Sequence, residues 1–334
     1  MAQILVLGGT AWLGRAVVRQ ALAQGHEVTC LARGDRPAPD GARLVAADRH
    51  DGTIEPYAAL PDTSWDLVID VARQPGQVRG ALAALSDRAA HWVFVSSISV
   101  YADHSRPDAD ESAPLLPALI GDVAQAEEYG AGKVACEQAV IGARGPHALI
   151  ARPGLIAGHG DPSDRFGYWP GRFALAAERA EPVLVPDRTD RACQWIDVRD
   201  LAAWLVTAGV GGTTGVMDAV GPATTLEAVL YAAIAAAGFS GRVVRAGDEA
   251  LREAGVEEFM GPRSLPLWLS DPAWAGFLDR SGAAAAAAGL GHRPLTETVG
   301  DALAWERELG LGRPRAGAGL DRPDELALIA ALTH

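Results

Sequence analysis

The sequence predicts an α/β fold in which a doubly wound parallel sheet carries a smaller mixed α/β lobe. Three observations lead to this prediction. Strand and helix patterns alternate up to about residue 150, the strands are almost continuously apolar, and the composition becomes richer in Gly, Pro and aromatic residues after residue 153. Strands of a parallel sheet are apolar on both faces because helices cover both sides. We therefore expect the sheet to lie mainly in residues 1–153.

The individual elements follow from apolar runs and apolar periodicity. The predicted strands are short apolar runs: Ile4–Leu7, Glu27–Leu31, Leu44–Ala46, Asp66–Val71 and His91–Val95. The predicted helices have apolar residues three and four positions apart: Trp12–Gln24, Gln77–Ser86, Ala126–Ala143, Asp197–Ala208, Leu226–Ala237, Ala283–Ala288, Glu297–Glu308 and Asp324–Leu332. Residues 154–171 read as an ordered loop because they combine glycines, prolines and aromatic residues.

Composition and charge exclude several classes of function. The chain has 334 residues, 49% of them hydrophobic, and a net charge of −13 without a basic cluster. An acidic chain of this kind argues against nucleic acid and against an anionic membrane surface as partners. The three cysteines lie far apart, no Cys/His group has the spacing of a metal site, and no apolar stretch is long enough to span a membrane. The first apolar run is too short for a signal peptide, so we expect a cytoplasmic protein without a metal.

A glycine-rich turn follows the first strand and opens the first helix. It comprises Gly8, Gly9, Thr10, Ala11, Trp12, Leu13 and Gly14. Glycines let backbone N–H groups approach a pyrophosphate, and the helix N-terminus adds positive potential. The pattern is G-x-x-A-x-x-G rather than G-x-G-x-x-G, and Gly14 would allow close packing of helix on strand. We interpret the turn as a Rossmann-type dinucleotide site, the alternative being an ordinary tight turn.

A tyrosine and a lysine four residues apart form a second signal. Tyr129 and Lys133 share one face of a predicted helix, and a lysine ammonium near a phenol favours the phenolate. Tyr129 is therefore a candidate proton donor or acceptor. The alternative is a half-exposed tyrosine and a surface lysine. Upstream, a predicted strand ends in hydroxyl residues, among them Ser97 and Ser99, which could hold a substrate oxygen or could bond only to the local backbone.

These motifs together resemble the extended and atypical short-chain dehydrogenases/reductases, the group often described as NAD-dependent epimerases/dehydratases. The matching blocks occur in the family's order along nearly the whole chain: G-G-T-A-W-L-G (8–14), S-S-I-S-V-Y (96–101), Y-G-A-G-K (129–133), A-R-P-G (151–154) and W-I-D-V-R-D-L-A (195–202).

The resemblance implies specific roles for the matching residues. Tyr129 would be the general acid/base, Lys133 would hold the nicotinamide ribose and tune Tyr129, and Ser97 would orient the reacting oxygen. Pro153, Gly154 and Leu155 would line the cofactor, the backbone of the last two facing the nicotinamide amide. The resemblance also suggests a homodimer formed through paired helices.

The residue after the second strand distinguishes the two nicotinamide cofactors. An acid there would bind the ribose hydroxyls, whereas an arginine would bind the 2′-phosphate. Arg33 occupies this place and Arg15 could assist it, so the sequence favours NADP(H) over NAD(H). Alternatively, Arg33 is solvated and Asp35 binds the ribose. Asp48, just past the third strand, is expected to accept a hydrogen bond from the adenine amine, although it could also be an ordinary turn residue.

Departures from the family pattern restrict the reaction and the substrate. Dehydratases of this kind carry an acidic pair where this chain has Ile98 and Ser99, so elimination is not expected and Ser99 stays a candidate substrate contact. Sugar-nucleotide epimerases usually place a diphosphate-binding arginine where this chain has Cys193. Arg191, two residues away, would point to the same side of a strand and could partly substitute for it. A nucleotide sugar is therefore a less favoured substrate.

Aromatic residues are concentrated in the predicted loop after residue 153. Tyr168 and Trp169, with Phe166 and the later Trp195, suit an apolar or ring-shaped substrate, and we predict that the first two contact it. The alternative is that these rings cap the core of the smaller lobe. His104 and His159, on other predicted loops, are more readily explained as solvated side chains.

The sequence thus predicts an NAD(P)-dependent reductase or dehydrogenase that acts on a small molecule. We expect residues 1–153 to bind the cofactor, 154–191 to form a substrate loop, 192–219 to return to the sheet, and 220–334 to form the substrate lobe and C-terminal helices. One alternative is a sugar or sugar-nucleotide epimerase that retains NAD. A second is a non-catalytic NAD(P)-binding or RNA-associated protein.

Overall fold

The computed structural model describes residues 1–50 and 52–332, so the last two residues of the predicted C-terminal segment lie outside it. The strands are β1 Gln3–Leu7, β2 Glu27–Ala32, β3 Arg43–Ala46, β4 Trp65–Asp70, β5 Ala89–Val95, β6 Ala148–Pro153, β7 Ile156–Ala157, β8 Val183–Pro186, β9 Ala192–Cys193, β10 Ile196–Asp197, β11 Gly215–Ala219, β12 Thr224–Thr225, β13 Val243–Ala246, β14 Glu257–Glu258 and β15 Ser264–Leu265. The helices are α1 Trp12–Ala23, α2 Pro75–Leu85, α3 Tyr129–Arg144, α4 Tyr168–Arg179, α5 Val198–Val210, α6 Leu226–Ala237, α7 Asp248–Glu253, α8 Ala283–Ala287, α9 Leu295–Leu309 and α10 Arg322–Leu332.

Seven strands form one parallel sheet in the order β11-β6-β5-β4-β1-β2-β3. The strand order reverses beside β1, which pairs with β2 on one side and with β4 on the other. Ligands of doubly wound sheets bind at such a reversal, beyond the carboxyl ends of the strands. The predicted doubly wound α/β fold is therefore confirmed, and the glycine turn after β1 lies at the reversal.

Helices cover both faces of this sheet. On one face α1 packs against α5, and Val17, Leu201 and Leu205 belong to the apolar core between helices and sheet. On the other face α2 packs against α3, with Val78 and Val140 in the core. Helix α3 carries Tyr129 and Lys133, so its packing on the sheet fixes where these two side chains lie relative to the strand ends.

The smaller lobe is built from α4, α6 and α9 together with the parallel pair β8–β13. The prediction of a loop over residues 154–171 is partly wrong, because β7 lies within it and α4 begins at Tyr168. Pro170 suggested a loop, but it occupies the first turn of α4. Backbone N–H groups there have no intrahelical partner, so proline is tolerated. No helix in residues 1–50 and 52–332 has the length and apolar character of a membrane span.

Tyr168 and Trp169 are core residues of this lobe. Both are 0% exposed, and their rings meet edge to face with centroids 5.0 Å apart. The Trp169 indole N–H donates a 2.8 Å hydrogen bond to the Pro266 carbonyl, so its polar atom is also committed. The prediction that these two residues contact the substrate is wrong. Their alternative interpretation, as rings that fill the core, agrees with the structure.

Candidate active site

The glycine turn brings three backbone segments closer together than side chains would allow. A β-carbon at Gly14 would lie 2.1 Å from the Gly8 carbonyl oxygen, and one at Gly9 would lie 2.6 Å from the Cys30 sulfur. Gly8 has a φ of 96°, which favours glycine. Ala11 caps α1 without a side-chain hydrogen bond, so the helix N-terminus presents its first N–H groups uncapped by a side chain. This turn has the structure of an anion cradle.

A cleft of about 570 Å³ runs from the glycine turn to Tyr129, within the volume range of small-molecule sites. Five of the predicted cofactor residues line it: Gly8, Thr10, Ala11, Arg33 and Asp48. The remaining lining comes from the ends of β2, β3 and β4, from the start of α2, from residues 124–126 before α3 and from Tyr129. The cleft therefore connects the anion cradle at one end with the candidate acid/base at the other.

Several predicted cofactor residues lie outside this lining. Gly9 and Gly14 act through backbone packing behind the turn. The Trp12 indole N–H donates to the His159 carbonyl at 2.8 Å, and Leu13 packs against the core under α1. The side chains of Trp12 and Leu13 therefore anchor the turn. Their contribution to a cofactor would come from the backbone alone.

Positive charge is concentrated in the cleft, although the chain is acidic. Arg33, Arg49 and Arg73 line it, and Asp48 is the one carboxylate among the lining residues that the structure describes. Arg49 is buried and ion-pairs with Asp70 at 3.2 Å. The sequence analysis missed Arg49 and Arg73. Both could have been identified from their positions, because each follows closely on the end of a strand, where ligands of such sheets bind.

The residues proposed to select the cofactor differ in how they face the cleft. Arg33 is exposed and ion-pairs with Asp35 at 3.3 Å, but Asp35 is not part of the lining. Arg15 donates instead to the Pro37 carbonyl. The Asp48 carboxylate accepts a 3.0 Å hydrogen bond from the His50 N–H, which leaves its other oxygen available. Arg33 therefore belongs to the cleft lining, whereas its ion-pair partner Asp35 does not.

Lys133 lies beneath Tyr129 in a buried position. Its ammonium donates to the carbonyl oxygens of Ala72 at 2.8 Å and Val95 at 2.6 Å and lies 6.0 Å from the centre of the Tyr129 ring. Two of its three donors are thus committed near the ends of β4 and β5, and the third has no hydrogen-bond partner among the described residues. Arg73 lies over the same ring at 5.2 Å, so two cations flank the phenol.

The serine turn after β5 contacts the start of α3. Ser97 accepts a 3.1 Å hydrogen bond from the Ser99 N–H, and the two hydroxyls are also 3.1 Å apart. A β-carbon at Gly130 would lie 2.2 Å from the Ser99 carbonyl oxygen. Glycine next to Tyr129 is therefore what lets the serine turn and the tyrosine helix meet, a role the sequence analysis did not assign.

Pro153, Gly154 and Leu155 continue β6 at the same edge of the sheet. A β-carbon at Gly154 would lie 3.5 Å from the Ile98 side chain, so this segment borders the serine turn. The Leu155 carbonyl accepts a 2.8 Å hydrogen bond from the Ile196 N–H, which holds the segment beside β10. These three residues are not part of the cleft lining, although they border the catalytic end of the site.

Arg191 is committed to another partner. Its guanidinium forms a two-pronged ion pair with Asp248, which also accepts a 2.9 Å hydrogen bond from the Trp268 indole. The hydrogen bonds from Arg191 hold the pKa of Asp248 at about 2. Arg191 is thus held by Asp248 within the smaller lobe, and its contact with the substrate stays a prediction. Cys193, at the position of the family's diphosphate-binding arginine, is fully buried.

The two loop histidines have different surroundings. His159 bonds to the Glu308 carboxylate at 2.9 Å and lies against Trp305, so it joins its loop to α9. His104 lies between Trp274 and Phe277, with ring centroids 5.1 and 4.9 Å away. The sequence analysis also missed Arg165, a mostly buried arginine whose charge interacts with Tyr129. No signal in the sequence separates it from other loop arginines.

Together these features fit a bound dinucleotide. The cradle has no room for side chains, uncapped N–H groups stand at its helix N-terminus, and arginines follow the neighbouring strand ends. The cleft then ends at a tyrosine supported by a buried lysine.

Comparison with known proteins agrees with a dinucleotide site. The model of the NAD dependent epimerase/dehydratase family matches residues 4–211. The dTDP-6-deoxy-L-talose 4-dehydrogenase (NAD(P)(+)) of Kitasatospora kifunensis is 29% identical over 184 residues, which cover 48% of this chain and 54% of that protein. The 2'-dehydrokanamycin reductase of Streptomyces kanamyceticus is 29% identical over 201 residues, covering 58% of this chain and 53% of that protein. The chain thus spans about half the length of these curated relatives.

Solved structures share the fold over almost the whole chain. The UDP-Glc/GlcNAc 4-epimerase of Campylobacter jejuni superposes with a TM-score of 0.68 at 16% identity, covering 92% of this chain and 100% of that one. The UDP-glucose 4-epimerase of Thermus thermophilus, solved in complex with NAD, gives a TM-score of 0.64 at 19% identity, covering 91% of this chain and 99% of that one. With the family match over more than half of the sequence, the chain belongs to the NAD dependent epimerase/dehydratase family.

Proposed function

We propose that this chain is an NADP(H)-dependent reductase or dehydrogenase that interconverts a carbonyl and an alcohol on a small molecule. The observation that carries the proposal is the position of Tyr129 at the end of the cofactor cleft, with the Lys133 ammonium buried beneath its ring. A tyrosine so placed can exchange a proton with a substrate oxygen that lies beside the cofactor.

The cofactor would be held by the chain's own residues along the cleft. The N–H groups of the glycine turn would bind the diphosphate, and Asp48 would accept from the adenine amine. Arg33 would meet a 2′-phosphate, for which its exposed guanidinium and its place in the lining are suited. Arg73 adds positive charge to the same cleft, which favours the more highly charged NADP(H), whereas the charge of Arg49 is balanced by Asp70.

When bound, the nicotinamide supplies or accepts the hydride. In the direction of reduction, the Tyr129 hydroxyl donates a proton to the carbonyl oxygen as negative charge develops there. Lys133, which keeps one donor beyond its two carbonyl partners, would stabilise the resulting phenolate and would hold the cofactor's ribose. Ser97 orients the reacting oxygen through its hydroxyl, which the turn after β5 holds against Ser99.

Two features support redox chemistry over elimination. Both curated relatives described above are named for it, one as a dehydrogenase and one as a reductase. In this chain the positions after Ser97 are Ile98 and Ser99, and neither carries the carboxylate that would move a β-proton. The proposal therefore assigns proton transfer to Tyr129 alone.

The test is the variant Tyr129→Phe, which removes one hydroxyl at the end of the cleft. NADPH consumption is measured with a panel of aldehydes and ketones, and NADPH affinity is measured by fluorescence. Loss of a general acid/base is expected to lower kcat/KM by about 10²–10⁴-fold while cofactor affinity stays unchanged. Tyr231→Phe, an exposed tyrosine on α6, is the matched control and should have full activity.

Two outcomes would contradict the proposal. One is a Tyr129→Phe protein that turns over carbonyl substrates at the wild-type rate. The other is a wild-type protein that holds NAD through purification and interconverts epimers without net consumption of cofactor, which would make it an epimerase.

A further inference from the structure

Arg165 differs from the buried arginines of this chain. Arg49, Arg152, Arg172, Arg280, Arg315 and Arg322 are buried, and each forms an ion pair with an aspartate or glutamate. Arg165 is mostly buried, yet within residues 1–50 and 52–332 no carboxylate lies within ion-pair distance of its guanidinium, and its Nε is buried without a hydrogen-bond partner. A buried Nε without a partner is unfavourable, and the terminal nitrogens of Arg165 have no hydrogen-bond partner within residues 1–50 and 52–332, which suggests that an anionic ligand completes this site.

The carboxylate whose charge acts most strongly on Arg165 is hydrogen-bonded to another residue. Asp161 attracts Arg165 electrostatically, but its two oxygens accept hydrogen bonds from the Ser163 N–H at 2.8 Å and the Ser163 hydroxyl at 3.0 Å. Burial lowers the pKa of Arg165, and the attraction of Asp161 and of Tyr129 acts against that shift. The guanidinium therefore lies close enough to the catalytic tyrosine to interact with it.

Arg165 approaches Tyr129 from the smaller lobe. It belongs to the segment between β7 and α4 and is not part of the cofactor cleft lining, whereas Arg73 meets Tyr129 from within that cleft. The two arginines thus belong to different parts of the molecule: Arg73 lies over the Tyr129 ring, whereas the charge of Arg165 acts on Tyr129 through space. The side occupied by Arg165 is where a substrate must lie if the cofactor fills the cleft.

A row of aromatic rings leads from Arg165 to the surface. Its guanidinium lies over Phe259 at 5.2 Å, Phe259 meets Phe277 edge to face at 5.3 Å, and Phe277 meets His104 at 4.9 Å. His104 stacks on Trp274, which is 42% exposed. We call these four rings, Phe259, Phe277, His104 and Trp274, the aromatic wall.

Two details of the aromatic wall are unusual for simple packing. Phe259 has a φ of 66°, a left-handed conformation that is strained for a bulky residue and that occurs preferentially at functional sites. The Nδ1 atom of His104 is buried without a hydrogen-bond partner among the described residues. The wall therefore combines a strained backbone with an uncommitted polar atom.

We propose that Arg165 binds a carboxylate or phosphate group of the substrate beside Tyr129, while the aromatic wall contacts an apolar ring of the same molecule. This proposal rests on the proposed function only in placing the reacting carbon next to Tyr129. The binding of the anionic group by Arg165 does not depend on it. The substrate class is then a ring compound with an anionic group. A cationic substrate would be disfavoured, since Arg73 and Lys133 lie at the Tyr129 ring and the charge of Arg165 also acts on it.

The test measures binding and does not require turnover. Benzoate, phenyl phosphate, neutral benzyl alcohol and cationic benzylamine are titrated calorimetrically into the Tyr129→Phe protein, with and without NADPH. At least one of the two anions should bind about tenfold or more tightly than benzyl alcohol, and benzylamine should bind most weakly. If NADPH does not bind or carbonyl compounds are not turned over, the proposed function is contradicted. The proposed role of Arg165 is not, because the affinity for the anions is measured independently of both.

Substitutions of Arg165 then locate the binding group. Arg165→Met keeps an apolar stem against Phe259 and removes the charge, and it should lower anion affinity about tenfold or more without affecting benzyl alcohol. Arg165→Lys should restore part of the affinity, which a merely structural role would not explain. Arg188→Met, an exposed arginine paired with Asp190, is the matched control and should bind anions like the parent protein.

Two results would overturn the proposal. In one, neither anion binds better than benzyl alcohol. In the other, the Arg165→Met protein binds the anions as tightly as its parent. If Arg165→Met does not fold, the comparison of anion with neutral probe in the parent and in Arg165→Lys still decides the matter.

Discussion

The two sides of the candidate site differ in how their geometry arises. On the cofactor side, two motifs join residues close in sequence, Gly8 with Gly14 and Tyr129 with Lys133, and distant strand ends then hold Lys133 in place. On the lobe side, Arg165 meets Phe259, almost one hundred residues further along the chain. Residues that act together and lie close in sequence form a motif that can be recognised, whereas contacts between distant segments produce no sequence motif.

The segment that holds Arg165 and Tyr168 shows the consequence most clearly. The arginine and the tyrosine lie in the same short segment, and the sequence favoured the aromatic residue as the substrate contact. The structure buries Tyr168 completely and leaves the Arg165 guanidinium without a carboxylate partner among the described residues. The packing of the whole lobe determines which side chain of this segment enters the core. The composition of the segment alone could therefore not predict that Tyr168 is buried.

The largest expected effect distinguishes core rings from wall rings. Trp169→Ala should lower the free energy of unfolding by about 3–5 kcal/mol, because Trp169 is fully buried and its indole N–H is bonded. Trp274→Ala, at a residue 42% exposed, should cost less than about 1.5 kcal/mol. Urea unfolding of both variants is the measurement. Phe259, at the inner end of the aromatic wall, belongs to the same apolar core as Trp169, so equal costs would mean that Trp274 is packed as deeply and offers no free face to a ligand.

The second prediction concerns the glycine turn. Gly14→Ala should cost about 1–3 kcal/mol of stability, because the new methyl group would lie 2.1 Å from the Gly8 carbonyl oxygen and would force the turn apart. NADPH affinity should fall by about tenfold or more with it. Gly142→Ala is the control, since this exposed position of α3 has open space and alanine should stabilise the helix slightly. A Gly14→Ala protein with wild-type NADPH affinity would refute the cradle.

The third prediction tests the role of Arg191. Arg191→Gln should cost about 1–2 kcal/mol near neutral pH, where Asp248 is ionised and paired. Folding holds the pKa of Asp248 at about 2, below its ordinary value of 3.8. The stabilisation is therefore complete above about pH 4 and is lost as the pH falls towards 2.

The measurement is the urea midpoint of both proteins at pH 7 and at pH 3. The difference between wild type and Arg191→Gln should narrow at the lower pH. Binding of substrate-like probes should be unchanged in the variant at pH 7, and altered probe affinity would support a contact of Arg191 with the substrate. The exposed pair Arg188–Asp190 serves as control, because its loss should cost little.

The elements that could be predicted are those with strong local patterns. Helix α6 was predicted over its observed range, and α5 was predicted within two residues at its C-terminal end. The doubly wound class of the sheet was predicted from the apolar character of the strands and their alternation with helices, whereas the strand order comes from the structure. Helix α4 was missed because its first turn contains Pro170 beside aromatic residues. The two-residue strands β7, β9 and β10 are too short to have any periodicity.

The residues of the candidate site also divide into those with a local sequence pattern, which could be predicted, and those without one. Gly8, Arg33 and Asp48 were found because each follows a strand end, and Arg49 and Arg73 obey the same rule but were not considered. Arg165 could not be found, since its distinguishing property is the lack of a carboxylate partner among the described residues in a buried place. That property exists only after the lobe has folded against the sheet.

The most direct test of the account is a fluorescence titration of the purified protein with NADPH and NADH, after a check by absorbance for co-purified nicotinamide. Reversible binding is predicted, with NADPH preferred by about tenfold or more, and Arg33→Gln should abolish this preference while leaving NADH affinity unchanged. Equal or tighter binding of NADH, or NAD that resists dialysis, would contradict the role of Arg33 and favour an epimerase.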